Sequence, residues 1–155
     1  MKKIIICAES SAIHLKKAIT AYLTEYGYDY TDATANDNLT YIEAGSIVGE
    51  AVSSGEYPLG IVMCGSGMGV NLVANRYKGV FCGLCESLHT ARLARTITNC
   101  NVLALGGNIV AHDLACQMVR AFLEADFGDG FNEDFVPVLK GMYDDMAAVD
   151  DKTHL

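Results

Sequence analysis

The chain has 155 residues, of which 51% are hydrophobic and only 2 are proline, so it can form one folded domain with its own core and is unlike a disordered chain. Its formal net charge of −8, with no basic stripe, argues against nucleic acid and membrane as partners, because both require a basic face. No apolar run approaches the ~20 residues of a membrane span. The six cysteines lie mostly within apolar runs, which is typical of reduced thiols and predicts a cytoplasmic protein.

An apolar run followed by an amphipathic stretch recurs along the chain. The runs predict strands, and the stretches with helical spacing predict helices. The strands are expected at 3–8, 28–31, 59–63, 80–84 and 101–105, and the helices at 11–26, 41–54, 68–77, 87–97, 111–126 and about 134–149. We predict a single domain over residues 1–150, followed by an acidic C-terminal tail over 151–155.

Strands that alternate with helices and are apolar on both sides indicate an α/β fold with a parallel sheet covered on both faces. The prediction is a three-layer α/β/α, Rossmann-like domain with a five-stranded parallel sheet. In such a sheet, ligands bind beyond the carboxyl ends of the strands. The candidate site segments are therefore 8–10, 32–41, 64–69, 85–86 and 106–108.

The segment after the third predicted strand reads CGSGMG, from Cys64 to Gly69. It lacks both the G-x-G-x-x-G spacing of a dinucleotide fingerprint after a first strand and the Lys-Ser/Thr ending of a P-loop. Three glycines let successive backbone N–H groups point at one spot, and the helix that follows adds its dipole. Such a pocket stabilises the negative charge of a phosphate or of a reaction intermediate.

Cys64 lies at the mouth of this loop, and a helix N-terminus favours the thiolate form of a cysteine. A base beside a pocket for negative charge suits the removal of a proton from a carbon next to a carbonyl. The alternative interpretation is that Cys64 is a small buried hydrophobic residue.

Three separated motifs, MCGSGMGVNLVANR, LHTARLAR and NVLALGG, resemble the B-type ribose-5-phosphate isomerases and the galactose-6-phosphate isomerase subunits. The resemblance runs from residue 3 to about residue 127 with the same order and spacing. It implies the strand order 2-1-3-5-4, no metal, no cofactor, and a homodimer or tetramer with active sites at the subunit interface. It also implies interconversion of an aldose and a ketose through a cis-enediolate.

The resemblance assigns roles to individual residues. Cys64 stands where most members have the base that moves a proton between C1 and C2, and Ser66 stands where a hydroxyl assists it. The Glu that serves as base in other members falls at Val70, which cannot serve. The substrate-binding positions are Glu9, Ser10, Tyr41, Gly65, Gly67, Met68, Gly69, Glu86 and Asn99.

The sequence departs from the family where the substrate is held. The arginines that clamp the phosphate fall at Asn108, Phe131 and Phe135, so the donors that a phosphate dianion needs are missing. Glu9 and Glu86 make the pocket neutral to acidic. We therefore expect a small sugar that is non-phosphorylated or otherwise atypical.

The histidine that opens the sugar ring, supplied by the neighbouring subunit in the family, falls at Ile97. Its loss favours a non-catalytic member of the family, or else implies an open-chain substrate such as a four-carbon sugar. Another acid, Glu9 or Glu86 in a buried form, could also open the ring. His14, His89 and His112 are interpreted as surface or helix-packing histidines.

Two alternatives stay open. One is a non-catalytic sugar-binding or structural subunit that partners a catalytic paralogue. The other is a sugar-phosphate isomerase with a relocated phosphate site. Retention of Cys64 together with the whole glycine loop favours a catalytic isomerase.

Overall fold

The strands and helices alternate along the chain as expected in a computed structural model that describes residues 1–154. The strands are β1 (Ile4–Ala8), β2 (Tyr30–Asp32), β3 (Leu59–Cys64), β4 (Cys82–Leu84) and β5 (Val102–Gly106). The helices are α1 (Ile13–Glu25), α2 (Tyr41–Ser53), α3 (Met68–Ala74), α4 (Leu88–Thr96), α5 (His112–Glu124) and α6 (Val136–Thr153), and a 3-10 turn (Ser10–Ala12) precedes α1.

The five strands form one parallel sheet in the order β2-β1-β3-β5-β4, which confirms the predicted fold class and strand order. The central strand, β3, pairs Ile61 with Ile6 of β1 and Cys64 with Gly106 of β5. All strands therefore end at one edge, which we call the carboxyl edge. It consists of the segments 9–12, 33–40, 65–67, 85–87 and 107–111.

The alternation of side chains along the strands builds two cores. On β1, Ile4 and Ile6 pack with residues of α1, α4 and α5, whereas Ile5 and Cys7 pack with residues of α2 and α3. Because every residue of β3 is buried, both faces of the sheet are covered at its centre.

Two glycines of α2 allow α3 and the turn that follows it to approach closely. A Cβ atom on Gly45 would lie 2.7 Å from the Cβ of Val73, and one on Gly49 would lie 2.3 Å from the ring of Tyr77. The start of α2 is fixed by a capping box, in which the Glu43 N–H donates to the Thr40 hydroxyl (3.2 Å). The first residue of α2, Tyr41, is therefore held beside α3.

The C-terminal end differs from the expected tail. Residues 151–153 form the last turn of α6, and Leu155 lies outside the described residues. This turn is tied to the connection between α3 and β4, because the Gly79 N–H donates to Asp150 (2.8 Å) and Lys78 pairs with Asp151 (3.1 Å). Within residues 1–154, no helix combines the length and hydropathy needed to cross a membrane.

Candidate active site

The glycine loop turns the chain from β3 into α3. Gly67 has φ 78, a left-handed conformation that favours glycine. A Cβ atom there would lie 2.6 Å from Leu84 Cδ1 and 2.9 Å from the carbonyl carbon of Leu105. The loop therefore lies directly on the end of β5, and no larger residue fits at Gly67 without moving backbone.

Cys64 is the last residue of β3 and is buried, with 5% of its surface exposed. Its carbonyl accepts a hydrogen bond from the Gly107 N–H (2.8 Å), and the Gly65 carbonyl accepts one from the Asn108 N–H (2.9 Å). These two bonds extend the pairing of β3 and β5 beyond the sheet. They place Cys64 at a defined position between the end of the sheet and the start of α3.

The N-terminal end of α3 presents hydrogen-bond donors at the loop. The N–H groups of Gly67 and Gly69 have no protein acceptor within the described chain, whereas the Met68 N–H donates to the Ser66 hydroxyl (3.2 Å). The free donors are suited to an oxygen that carries negative charge. The six predicted site residues Cys64, Gly65, Ser66, Gly67, Met68 and Gly69 are consecutive and form the end of β3, the loop and the start of α3.

Tyr41 also lies at this loop. A Cβ atom on Gly69 would lie 2.6 Å from the Tyr41 ring, so the absence of a side chain at Gly69 lets the ring rest on the start of α3. Tyr41 remains about half exposed, which leaves its hydroxyl free to reach a ligand.

Glu9 and Ser10 follow β1 at the same edge. The Glu9 carboxylate accepts hydrogen bonds from the hydroxyls of Ser10 (2.8 Å) and Ser11. Burial alone would raise the pKa of Glu9. The hydrogen bonds from the hydroxyls of Ser11 and Ser10 and from the N–H groups of Ser11 and Gly65 outweigh this effect, so the pKa of Glu9 lies below its usual value. Glu9 is therefore ionised at neutral pH, which argues against its role as a ring-opening acid.

Ser11 also lies at the carboxyl edge, although the sequence patterns did not single it out. Its hydroxyl lies 2.9 Å from the position of a Cβ atom on Gly65, and the Asn108 amide nitrogen lies 3.2 Å from the same point. Both side chains thus flank Gly65. The signal available in the sequence was that Ser11 adjoins the candidate site segment 8–10 after the first predicted strand.

Four residues singled out from the sequence lie away from Cys64 of the same chain. Asn99 precedes β5, whose length spans ~13 Å, and its side chain accepts from Arg95 (3.1 Å) at the opposite edge of the sheet. Phe131 and Phe135 contact each other, near the 128–130 turn that is bonded to Thr96 at that same edge. Glu86 is exposed at the end of β4, two strands from β3 and thus ~10 Å away.

The other five cysteines differ in their surroundings from a reactive thiol. Burial raises the pKa of Cys7 and of Cys85 to about 11, and it also raises the pKa values of Cys82, Cys100 and Cys116. These side chains therefore stay protonated at neutral pH. None of them belongs to the glycine loop.

A family model described as Ribose/Galactose Isomerase matches residues 4–136. The chain belongs to this family. The resemblance drawn from the three motifs is therefore confirmed, and with it the expectation of an isomerase that acts on sugars.

Individual relatives match over nearly the whole chain. A 4-deoxy-4-sulfo-D-erythrose isomerase from a Clostridium species is 34% identical over 155 residues, covering 98% of each chain. A D-erythrulose-4-phosphate isomerase from Pectobacterium atrosepticum is 35% identical over 133 residues, covering 84% of this chain and 88% of that one. The structure of ribose-5-phosphate isomerase B from Clostridium thermocellum is 32% identical, with a TM-score of 0.86 over 97% of this chain and 98% of that one.

Replacement of Gly67 tests how tightly the loop is built. We expect Gly67→Ala to lower the free energy of unfolding by about 3 kcal/mol, because it adds left-handed strain and a clash with β5. Gly55 is the matched control, since it has φ 79 but no atom within 4 Å of an added Cβ. Gly55→Ala should cost only about 1 kcal/mol. Equal losses in urea unfolding would contradict the tight fit at Gly67.

Proposed function

We propose that this chain is a cofactor-independent aldose–ketose isomerase in which Cys64 is the base and Ser66 assists it. The observation that carries the proposal is the junction of Cys64 with a loop whose Gly67 and Gly69 N–H groups have no acceptor in residues 1–154. The base and the donors for the developing charge thus meet at one place.

The reaction follows from this arrangement. The Cys64 thiolate removes the proton from C2 of the aldose, and the electrons of the C–H bond form a C1–C2 double bond. The oxygen of the former carbonyl becomes the enediolate oxygen, which the glycine N–H groups stabilise. Ser66 passes the hydroxyl proton from O2 to O1, and the thiol returns its proton to C1.

The proposed substrate has four carbons and no ring. A substituent that replaces or blocks the C4 hydroxyl removes the group that would close a five-membered ring, so the sugar is always an open chain. This accounts for Ile97 at the position of the ring-opening histidine in the family. Two relatives are named for four-carbon substrates of this kind, 4-deoxy-4-sulfo-D-erythrose and D-erythrulose 4-phosphate.

We propose a sulfonate, rather than a phosphate, at C4. The segments that form the carboxyl edge contain no lysine or arginine, and Glu9 is ionised there. A phosphate dianion needs strong cationic donors, whereas a sulfonate carries a single charge. Asn108 and Ser11 offer neutral polar groups at this edge.

We further propose that a second copy completes the site, in a homodimer or tetramer. Asn99, Phe131 and Phe135 lie away from Cys64 of their own chain, so only another copy can bring them to it. Four exposed apolar or aromatic side chains around the glycine loop provide a surface for such contact, namely Tyr41, Ile42, Met68 and Leu72. The six free cysteines also support a cytoplasmic location for the assembly.

Loss of Cys64 tests the base. In D2O the wild-type protein should incorporate solvent deuterium at C1 or C2 of 4-deoxy-4-sulfo-D-erythrose, and Cys64→Ala should reduce this exchange about 10³-fold. Cys116→Ala is the control, because Cys116 lies on α5 and should leave exchange unchanged. Full exchange in Cys64→Ala would refute the base assignment. No exchange by the wild type with any four-carbon sugar would favour a non-catalytic subunit.

Restoration of a cation tests the terminal group. We expect Asn108→Arg to raise kcat/KM for D-erythrose 4-phosphate relative to 4-deoxy-4-sulfo-D-erythrose by about 10-fold, because a guanidinium binds a dianion more strongly. Asn108→Gln is the control and should leave the ratio near its wild-type value. A wild-type protein that already prefers the phosphate would contradict the sulfonate assignment.

Oligomer formation is tested by light scattering. The wild type should have at least twice the 16.6 kDa mass of one chain. Leu72→Glu should reduce the mass to that of one chain and abolish activity, because a charge at an apolar contact opposes association. Met142→Glu, at a comparably exposed apolar position on α6, should leave both unchanged. A monomeric wild type would exclude a shared site.

A further inference from the structure

Two histidines from distant parts of the chain meet at the carboxyl edge. His14, the second residue of α1, and His112, the first residue of α5, place Nδ1 and Nε2 2.8 Å apart. Their rings are 5.1 Å apart between centroids, and both side chains are exposed. They are therefore a hydrogen-bonded pair and not two independent surface residues.

The pair lies next to the segment that holds Cys64. The free nitrogen of His14, Nε2, lies 3.3 Å from the position of a Cβ atom on Gly107. Gly107 is the residue whose N–H is bonded to the Cys64 carbonyl, and Asn108, which follows it, flanks Gly65. His14 is therefore close to the segment after β5, which is bonded directly to the backbone of Cys64.

The outward-facing nitrogens of the pair are available to a ligand. Within residues 1–154, neither histidine forms an ion pair with a carboxylate, and the nearby Glu9 is engaged by Ser10 and Ser11. When Nε2 of His112 donates to Nδ1 of His14, the hydrogen of the neutral His14 ring is on its Nε2 atom. This N–H group is then a hydrogen-bond donor at the carboxyl edge. An anion at the carboxyl edge then meets this N–H donor.

We infer that His14 and His112 form the subsite for the C4 sulfonate of the substrate, with the Asn108 amide as a neutral donor. This inference rests on the proposed function and adds the residues that select the terminal group. These hydrogen-bond donors take the place of the arginines that the family resemblance assigns to the positions of Asn108, Phe131 and Phe135. The two histidines act as binding residues, and Cys64 retains the proton transfer.

Kinetics on two matched sugars test the subsite. 4-Deoxy-4-sulfo-D-erythrose carries the anion, and 4-deoxy-D-erythrose has the same carbon chain, no charge and no C4 hydroxyl for ring closure. His14→Gln and His112→Gln should each raise KM for the sulfonate about 10-fold and change kcat less than 2-fold. Both should leave kcat/KM for the neutral sugar unchanged. His154→Gln, on the far side of the molecule against Asp150, should affect neither sugar.

Equal losses of kcat/KM on both sugars, or no loss on either, would overturn the inference.

A second measurement needs no turnover and separates this inference from the proposed function. In the wild-type protein, methanesulfonate should shift the imidazole NMR signals of His14 and His112 saturably and leave those of His89 and His154 in place. No shift, or a stronger response to inorganic phosphate, would overturn the subsite even if the isomerase activity is found. A shift with no activity towards any sugar would uphold the subsite and reject the proposed reaction.

Discussion

The site depends on two main-chain hydrogen bonds that continue the β3–β5 pairing past the end of the sheet. The Gly107 and Asn108 N–H groups bind the carbonyls of Cys64 and Gly65. Main-chain bonds do not depend on side-chain rotamers, so Cys64 is held with the rigidity of the sheet and not with that of a loop. The same bonds join the glycine loop to the 107–111 segment, so the position of each segment depends on that of the other.

Glycines make this arrangement possible because other backbone groups occupy the space of their missing side chains. Gly67 lies on Leu105, Gly106 would place a Cβ 2.7 Å from the Ser66 carbonyl, and Gly107 lies on Ala12. The chain thus uses close backbone contact where larger residues would separate β1, β3 and β5. At these close contacts the glycines contribute no side chains, so the side-chain chemistry of this edge comes from the residues around them.

Much of the fold could be predicted because its signals are local. The apolar run before Cys64 and the glycines after it define β3, the loop and α3 from adjacent residues. The contacts that could not be predicted join distant parts of the chain. In the sequence the end of α6 resembles an acidic tail. In the structure its Asp150 accepts a hydrogen bond from Gly79, which lies 71 residues earlier. His14 and His112 are separated by 98 residues, and only the parallel topology brings them together.

Because Glu9 stays ionised, it repels anionic ligands to an extent that depends on their charge. Electrostatic repulsion from a fixed carboxylate scales with the charge number of the ligand, so a dianion experiences twice the repulsion of a monoanion at the same position. Part of this repulsion acts through solvent and is screened by salt, because Glu9 is only partly buried. If Glu9 discriminates between singly and doubly charged sugars as proposed, that discrimination will depend on the ionic strength of the medium as well as on the protein.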